Sequence, residues 1–329
     1  MLPTPGKLLA RSCTDALLVS NLTNIAYLTG VRMTAGWLLV LPRSLVLFAD
    51  GRYALAAEQG ARKGIAVRPL ENLGKALAVL PECGFEDEDV TVARLGRWKS
   101  KFPSTKFVRT SEVVEHFRRT KSDDELRVLM RARRMTQELL RRVPSSLRAG
   151  VNERAIAWKL EVWARDLGAE GLSFPPIVAF GSHTSSPHHQ PTSRPLRKGH
   201  VVQVDVGVKF RGYCSDLSDI YFTAKPKSEE QAVFDAVREA KEKAQDAVQA
   251  GVTTTALDRI ARGVLKKAGY DAFFTHSLGH GVGLDIHEGV SLSSQRKPVE
   301  LLKNEVITIE PGVYLPGKFG IRLEDMVVV

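Results

Sequence analysis

Two stretches of the chain, LRKGHVVQVDVGV (196–208) and LLKNEVITIEPGV (301–313), decide the fold because they repeat each other. Each has the run of apolar residues that is typical of a buried strand. Each also carries one carboxylate, Asp205 or Glu310, after four mostly apolar residues. Internal repetition of this kind predicts two similar halves that pack around a shared core.

The repeat begins further upstream, with a helix in each half. AGVNERAIAWKLEVWARDLGAEG (149–171) and AGVTTTALDRIARGVLKKAGY (250–270) both start with Ala-Gly-Val. A polar capping residue follows, Asn152 or Thr253, and then an amphipathic pattern that ends at a glycine. Each half therefore reads as a helix followed by a strand with one carboxylate.

Each of these carboxylates has a second one downstream. Asp216 follows Asp205 across the turn KFRGYC, and Glu324 follows Glu310 across LPGKFG. Both spacings suit an antiparallel hairpin in which the second strand returns beside the first. A pseudo-twofold pairing of the halves would then bring four carboxylates together at the centre of the sheet.

Four carboxylates on apolar strands predict a metal site. An acidic group in a strand such as VVQVDVGV or VITIEPGV is costly to bury unless it is paired or bound to a metal ion. Carboxylates close together repel each other and retain protons unless divalent cations neutralise them. An oxygen-rich set that includes one histidine suits manganese or cobalt, with zinc and iron as further candidates.

The chain resembles the pita-bread metallopeptidase family, which includes prolidase, aminopeptidase P and methionine aminopeptidase. The motifs that carry the resemblance are VDVG (204–207), SD (215–216), GHGVGLDIHE (279–288), EPG (310–312) and RLED (322–325). They match, in order, the family's strand, loop and hairpin motifs. DALLVSNLTNIAYLTG…LFADGRY (15–53) is similar to the small N-terminal domain of prolidases, aminopeptidases P and creatinase.

The resemblance implies five metal ligands for two divalent ions. Asp216 and Glu324 would bridge the ions, Asp205 would bind one of them in bidentate fashion, and His280 with Glu310 would complete the other. Glu310 would also shuttle the proton of a hydroxide that bridges the metals, because a ligand carboxylate already touches that water.

Further residues match substrate-binding or catalytic positions of the family. His188 corresponds to a histidine beside the scissile bond, and His287 to one that hydrogen-bonds the substrate carbonyl as charge develops. Arg322 corresponds to an arginine that supports the site. Arg296 is the candidate for binding the C-terminal carboxylate of the substrate, and His276 either lines the substrate pocket or packs structurally.

The fold class that follows is α+β: a small α/β creatinase-like N-terminal domain (1–115) and a pseudo-symmetric pita-bread metallopeptidase domain (116–329). The implied reaction is hydrolysis of the Xaa-Pro bond of dipeptides, by an Xaa-Pro dipeptidase. The alternative is an Xaa-Pro aminopeptidase, which removes the residue before proline from longer peptides. Creatinase lacks these carboxylates, methionine aminopeptidase normally lacks the N-terminal domain, and a non-enzymatic binding module would typically have lost ligands.

Three departures from the family pattern bear on substrate choice or stability. SDLSDI (215–220) has Asp219 where an arginine is common, HEGV (287–290) has Val290 where proline is usual, and the sequence stops at Val329, short of the customary last strand. No departure removes a ligand.

Composition and charge narrow the remaining functional classes. The net charge is +10, but the whole excess lies in residues 1–150, largely in FRRTKSDDELRVLMRARRMTQELLRR (117–142). That segment has helical spacing and no interleaved aromatic residues, so we expect a solvated helix face and no nucleic-acid partner.

The sequence has no run of 18 apolar residues and no pattern of a signal peptide, which predicts no membrane association. Three cysteines without paired spacing fit the cytoplasm. The resemblance further implies short proline-containing peptides as substrates and a homodimer.

Overall fold

The computed structural model describes residues 2–329, which form two compact units, one ending at Arg118 and the other running from Arg119 to Val329. None of the described helices is both long and apolar enough to cross a membrane.

The first unit is built on a six-stranded sheet in the order β4-β3-β2-β1-β5-β6. Its strands are β1 (Leu17–Val19), β2 (Gly36–Leu41), β3 (Ser44–Ala49), β4 (Ile65–Pro69), β5 (Glu82–Glu86) and β6 (Lys106–Thr110). The central β1–β2 and β2–β3 pairs are antiparallel, and the outer pairs are parallel. Its helices are α1 (Pro5–Ser12), α2 (Leu22–Thr29), α3 (Ala54–Gly60), α4 (Leu73–Ala78), α5 (Val92–Lys101) and α6 (Glu115–Arg119), the last of which ends at the first residue of the second unit.

The apolar runs of the N-terminal sequence form the interior strands β1, β2 and β3, as their length predicts. Leu18, Leu39 and Phe48 are buried in one cluster, together with Phe102 from the end of α5. Because the central strands are covered on both faces, their sequences are almost continuously apolar.

The second unit contains four long helices and twelve short strands among the described residues. The helices are α7 (Asp123–Arg142), α8 (Glu153–Asp166), α9 (Ser228–Asp246) and α10 (Thr254–Lys267). The strands are β7 (Gly171–Leu172), β8 (Ile177–Phe180), β9 (Val201–Val206), β10 (Val208–Phe210), β11 (Tyr213–Cys214), β12 (Leu217–Phe222), β13 (Gly279–His280), β14 (Ser291–Leu292), β15 (Val306–Ile309), β16 (Gly312–Leu315), β17 (Phe319–Arg322) and β18 (Asp325–Val328).

The two halves of this unit repeat each other in detail. Asn152 caps α8 and Thr253 caps α10, each accepting a hydrogen bond from the backbone amide three residues later. Asn152 also forms an isolated antiparallel bridge with Pro195, and Thr253 forms the corresponding bridge with Glu300. The same contacts tie each helix start to the residues before its strand, which confirms the sequence repeat as a structural one.

Both predicted hairpins are present. Strand β9 pairs with β12 in antiparallel register, with Asp205 opposite Ser218. Strand β15 pairs with β18 so that Ile309 lies opposite Asp325, and β16 pairs with β17. Glu310 and Glu324 therefore occupy the junction between two strand pairs.

The helix expected in the basic segment 117–142 is confirmed as α7, which buries Leu129, Met135, Leu139 and Leu140 and is separated from α6 by a short break. Helix α6 ends at Arg119, and α7 begins after Ser122, whose side chain and backbone form a capping box with Glu125. The backbone amide of Ser122 donates to Glu125 Oε2 at 2.8 Å. A local Ser-x-x-Glu cap competes with helix continuation at this point and divides the segment.

Candidate metal centre

A cavity of about 740 Å³ opens in the second unit. Its lining includes all five predicted metal ligands, Asp205, Asp216, His280, Glu310 and Glu324. These residues lie far apart in the sequence and come together because the two hairpins and the loop at 279–288 meet at one place.

His280 faces the carboxylates with one ring nitrogen. Its Nε2 lies 3.5 Å from Asp216 Oδ2 and 3.6 Å from Glu310 Oε1. Its Nδ1 is 3.1 Å from the carbonyl oxygen of Gly281, an arrangement in which Nδ1 carries the proton and Nε2 the lone pair. This is the tautomer that a metal ligand requires. Ligand atoms of Asp216, His280 and Glu324 lie within 4.8 Å of one another.

Two glycines beside His280 let its backbone approach its neighbours closely. A Cβ at Gly279 would lie 2.0 Å from the carbonyl oxygen of Thr308, and one at Gly281 would lie 2.1 Å from that of Glu288. Only glycine leaves room for these contacts. The Gly-His-Gly sequence is thus explained by the close packing of the His280 backbone against β15, the strand that precedes Glu310.

The carboxylates are buried in a way that favours their protonated forms when no cation is present. Burial and the neighbouring Asp205 raise the pKa of Asp216 well above its usual range. Burial and Asp216 do the same for the pKa of Glu324, and burial raises that of Glu310 to about 8. Oδ1 of Asp205 and Oδ1 of Asp216 are buried and have no hydrogen-bond partner. Divalent cations would satisfy these atoms, so the donor set fits a metal centre.

Arg322 connects the carboxylate cluster to its surroundings. Its guanidinium donates to Asp205 Oδ2 at 2.6 Å, to Ser218 Oγ at 3.1 Å, to Tyr314 Oη at 2.7 Å and to the carbonyl oxygen of Pro187 at 3.2 Å. The residue is only 2% exposed. The guanidinium thus donates to several acceptors around the site, as expected of a buried arginine.

His276 lines the cavity but has both ring nitrogens engaged. Nε2 is 2.9 Å from Tyr314 Oη, and Nδ1 is 2.8 Å from the carbonyl oxygen of Ser277. Burial and the nearby Arg322 lower the pKa of His276 to about 4, so the ring is neutral at neutral pH. It presents its ring to the cavity and has no free polar atom to offer a ligand.

His188 and His287 also line the cavity. The His287 ring stands edge-on to the His280 ring, with centroids 4.2 Å apart. Burial and the neighbouring His280 lower the pKa of His287. His188 is exposed. The remaining wall is largely apolar. Its apolar residues are Phe174, Pro175, Pro176, Ile177, Pro187, Pro191 and Ile286, and its polar ones are His189, Gln190 and Ser277.

The structure does not bring Arg296 to this cavity. Arg296 is exposed in the turn that follows β14 and lies outside the lining residues. Of the residues the structure describes, Arg322 is the one lysine or arginine in the lining. Asp219, half-buried opposite Val204, likewise lies outside the lining.

Sequence reasoning did not single out Tyr314 or Ser218, which complete the network around Arg322. Ser218 Oγ is 2.8 Å from Glu324 Oε2 and also accepts from Arg322. A signal for Ser218 was present, because a residue two positions after Asp216 on an extended chain faces the same side. Tyr314 could be found only from the fold, since its hydroxyl reaches partners from other segments.

A metal-dependent hydrolase is the class of protein that this fold and this carboxylate–histidine cluster define. The comparison with known families is more specific. The model of metallopeptidase family M24 matches residues 127–329, and that of the creatinase/prolidase N-terminal domain matches residues 6–120. The chain belongs to metallopeptidase family M24. The expected α+β fold, with a creatinase-like first domain and a pita-bread catalytic domain, is thereby confirmed.

Relatives match over nearly the whole chain. An Xaa-Pro dipeptidase of Pyrococcus horikoshii is 29% identical over 317 residues, which cover 96% of this chain and 90% of the relative. A solved structure of an Xaa-Pro dipeptidase from Bacillus anthracis has a TM-score of 0.94 at 29% identity, covering 99% of this chain and 94% of that one. A structure of an X-Pro aminopeptidase from Thermotoga maritima has a TM-score of 0.89 at 32% identity, covering 98% and 95%.

Proposed function

We propose that the protein is an Xaa-Pro dipeptidase whose active site holds two divalent metal ions. The observation that carries the proposal is the meeting of Asp205, Asp216, His280, Glu310 and Glu324 in the lining of one cavity. The similarity to Xaa-Pro dipeptidases over nearly the full chain supports the substrate class.

Asp205, Asp216, His280, Glu310 and Glu324 would together hold the two ions. Two ions would supply Lewis acidity at the peptide carbonyl and lower the pKa of a water molecule. The four carboxylates favour manganese, because hard oxygen donors suit that ion. The orphaned Oδ1 atoms of Asp205 and Asp216 support the assignment.

The histidines and Glu310 would supply the remaining chemistry. Glu310 would accept the proton of the attacking water and pass it to the leaving proline nitrogen. His287, neutral because its pKa is lowered, would donate a hydrogen bond to the carbonyl oxygen as negative charge develops. His188, exposed in the cavity wall, would contact the substrate beside the scissile bond.

The apolar part of the lining suits proline. Phe174, Pro175, Pro176 and Ile177 form a continuous segment of the wall. The peptide bond before proline has no N–H, so a protease that binds its substrate through that N–H does not cleave this bond. A site that holds the ring by apolar contact and the carbonyl by hydrogen bonds does not need the missing donor.

One observation favours the second candidate, an Xaa-Pro aminopeptidase. A dipeptidase must accommodate the carboxylate of proline close to the metal centre, and a cation is the usual partner for such a group. Arg296 is exposed outside the cavity lining, and the guanidinium of Arg322 is already directed at Asp205 and Tyr314. A longer peptide would place its carboxylate beyond the cavity and would need no such partner.

The deciding experiment measures hydrolysis of Met-Pro, Met-Pro-Ala and Met-Ala by metal-stripped protein before and after addition of Mn²⁺. Cleavage of Met-Pro alone supports the dipeptidase. Equal or faster cleavage of Met-Pro-Ala would replace it with the aminopeptidase. No Mn²⁺-dependent cleavage of either proline peptide would refute both.

Two variants make this experiment specific for the metal centre. Glu324→Gln alters a residue that would hold the ions, and we expect the variant to lose more than the roughly 10–100-fold in activity that is typical of outer-shell partners. Glu230→Gln is the matched control, because Glu230 is a buried carboxylate that accepts from the Lys227 amide at the start of α9, outside the cavity.

We also infer a cytoplasmic homodimer. The exposed Cys13 and the buried Cys83 and Cys214 are free, which suits a reducing compartment. The dimer rests on the family resemblance alone, and light scattering tests it by comparing the mass in solution with twice the 36.3 kDa of the chain.

A further inference from the structure

We infer that Glu153 is a positioning residue, which holds the backbone on the C-terminal side of His188 and thereby sets the His188 ring at the cavity. The inference deepens the proposed function and rests on the role of His188 given there. The residues between β8 and Thr192, 181–191, are called the His188 loop below.

Glu153 is the first residue of α8, and its side chain is fully buried. Oε1 accepts from the backbone amide of Phe180 at 2.9 Å and contacts His183 Nδ1 at 2.8 Å. Oε2 accepts from the amide of Thr192 at 2.8 Å and from its hydroxyl at 2.6 Å, and contacts His189 Nε2 at 2.9 Å. One carboxylate therefore joins both ends of the His188 loop and two side chains within it.

His188 itself has no such anchor. Within residues 2–329 its ring makes no hydrogen bond, and it is exposed in the cavity wall. Its two neighbours are both held: the carbonyl of Pro187 accepts from Arg322 at 3.2 Å, and the ring of His189 is bound to Glu153. The position of the His188 ring follows from these two flanking contacts.

The negative charge of Glu153 is essential to this arrangement. Burial alone would raise its pKa, but hydrogen bonds from Thr192 and His189 and from backbone amides lower it to about 2. An ionised carboxylate accepts stronger hydrogen bonds than a neutral group. A glutamine of the same shape would place its amide N–H groups against donors, which makes Glu153→Gln a sensitive test.

The same cluster could be taken for a second metal site, because Glu153, His183 and His189 offer three ligand atoms within 4.8 Å. The distances favour hydrogen bonds. Both histidine nitrogens lie 2.8–2.9 Å from the carboxylate, whereas ligands about 2.0–2.1 Å from a tetrahedral ion would stand roughly 3.3 Å apart. At the acidic cluster the corresponding separations are 3.5 and 3.6 Å.

The test compares Glu153→Gln with Glu230→Gln in the Mn²⁺-loaded enzyme acting on Met-Pro. We expect Glu153→Gln to lower kcat about 10–100-fold, as typical of a group that orients a site residue, with KM nearly unchanged and the metal content equal to that of the wild type. Glu230→Gln should retain activity. A wild-type kcat in Glu153→Gln would overturn the inference, as would loss of a bound ion together with the activity.

A double-mutant cycle with His188→Ala separates positioning from general stability. If Glu153 acts through His188, Glu153→Gln should cost less than about threefold in the His188→Ala background. Additive losses would overturn the inference. If Glu153→Gln fails to fold, two variants of His189 take its place. His189→Phe removes the hydrogen-bond donor to Glu153, and His189→Gln keeps a donor at that position. We then expect a loss of kcat in His189→Phe and recovery in His189→Gln, and equal kcat values in the two would overturn the inference.

Hydrogen exchange distinguishes failure of this inference from failure of the proposed function. If the wild-type protein cleaves no proline peptide, the proposed function fails, yet amide exchange in the His188 loop still reports on Glu153. We expect exchange there to accelerate at least tenfold in Glu153→Gln and to stay unchanged in Glu230→Gln. Unchanged exchange in Glu153→Gln would refute the positioning role directly.

Discussion

Replacement of Arg322 by methionine should destabilise the metal-free protein far more than the metal-loaded one. Methionine keeps much of the volume of arginine but removes the charge that faces Asp205 Oδ2 at 2.6 Å. Both side chains are nearly buried, at 3% and 11% exposure. Without Arg322, and without a cation, Asp205 is left as a buried carboxylate with no compensating charge.

The magnitude follows from this burial. Breaking a buried ion pair by removing one partner costs about 3–5 kcal/mol, because the remaining charge is uncompensated. For a unit of about 200 residues, each kcal/mol lowers Tm by about 2–4 °C, so the loss corresponds to about 6–20 °C. In the Mn²⁺-loaded protein the cation would compensate the charge of Asp205. The decrease in Tm caused by Arg322→Met should then be less than half of the decrease in the metal-free protein.

The assay is calorimetric unfolding of the wild type and Arg322→Met, each in EDTA and in Mn²⁺. Arg238→Met is the matched control, because Arg238 Nη2 lies 2.8 Å from Asp235 Oδ1 in the same unit but the side chains of the pair are about half exposed. Such a pair should be worth less than about 1 kcal/mol with or without metal. An equal loss for Arg322→Met in both conditions would refute the reasoning, as would a loss below about 1 kcal/mol in EDTA.

Three further substitutions test other parts of the structure. Tyr314→Phe leaves the buried Arg322 and the half-buried His276 each short of a hydrogen bond, so the free energy of unfolding should fall by about 1–3 kcal/mol in urea titrations. Gly281→Ala places a Cβ 2.1 Å from the carbonyl oxygen of Glu288, and elemental analysis should show fewer than two bound ions per chain. Burial raises the pKa of Glu86 in the first unit to about 7, so its contribution to stability is complete below pH 4.5 and lost as pH rises through 7. In Glu86→Gln the free energy of unfolding, measured by urea titration from pH 4 to pH 8, should lose this part of its pH dependence. The same pH dependence in the variant as in the wild type would contradict the prediction.

Much of the site could be predicted because its carboxylates belong to short local sequence motifs. Asp205 and Glu310 stand out as acids within apolar strands, and Asp216 and Glu324 follow at hairpin spacing. The antiparallel pairing of β9 with β12 and of β15 with β18 confirms those hairpins. The expected helix starts at Asn152 and Thr253 are confirmed as well, since a cap depends only on residues within one turn.

Other predictions depended on contacts that local patterns do not encode. The family resemblance makes Arg296 the candidate for binding the C-terminal carboxylate of the substrate, but the structure places it outside the cavity lining, so this role stays a prediction. Loop positions are decided by packing, and sequence offset alone does not locate them.

The sequence by itself determined which residues bring charge to the core and that they come in two repeated pairs. Apolar periodicity, caps and turn residues are local properties, and they were sufficient for the strands, the hairpins and the four carboxylates, whereas the full ligand set with His280 followed from the family resemblance. Only the tertiary structure decided how Arg322, Tyr314 and His276 connect, and that Glu153 joins the two ends of the His188 loop. These contacts join segments far apart in the chain, and a hydrogen bond acts over about 3 Å, so they exist only once the halves have packed.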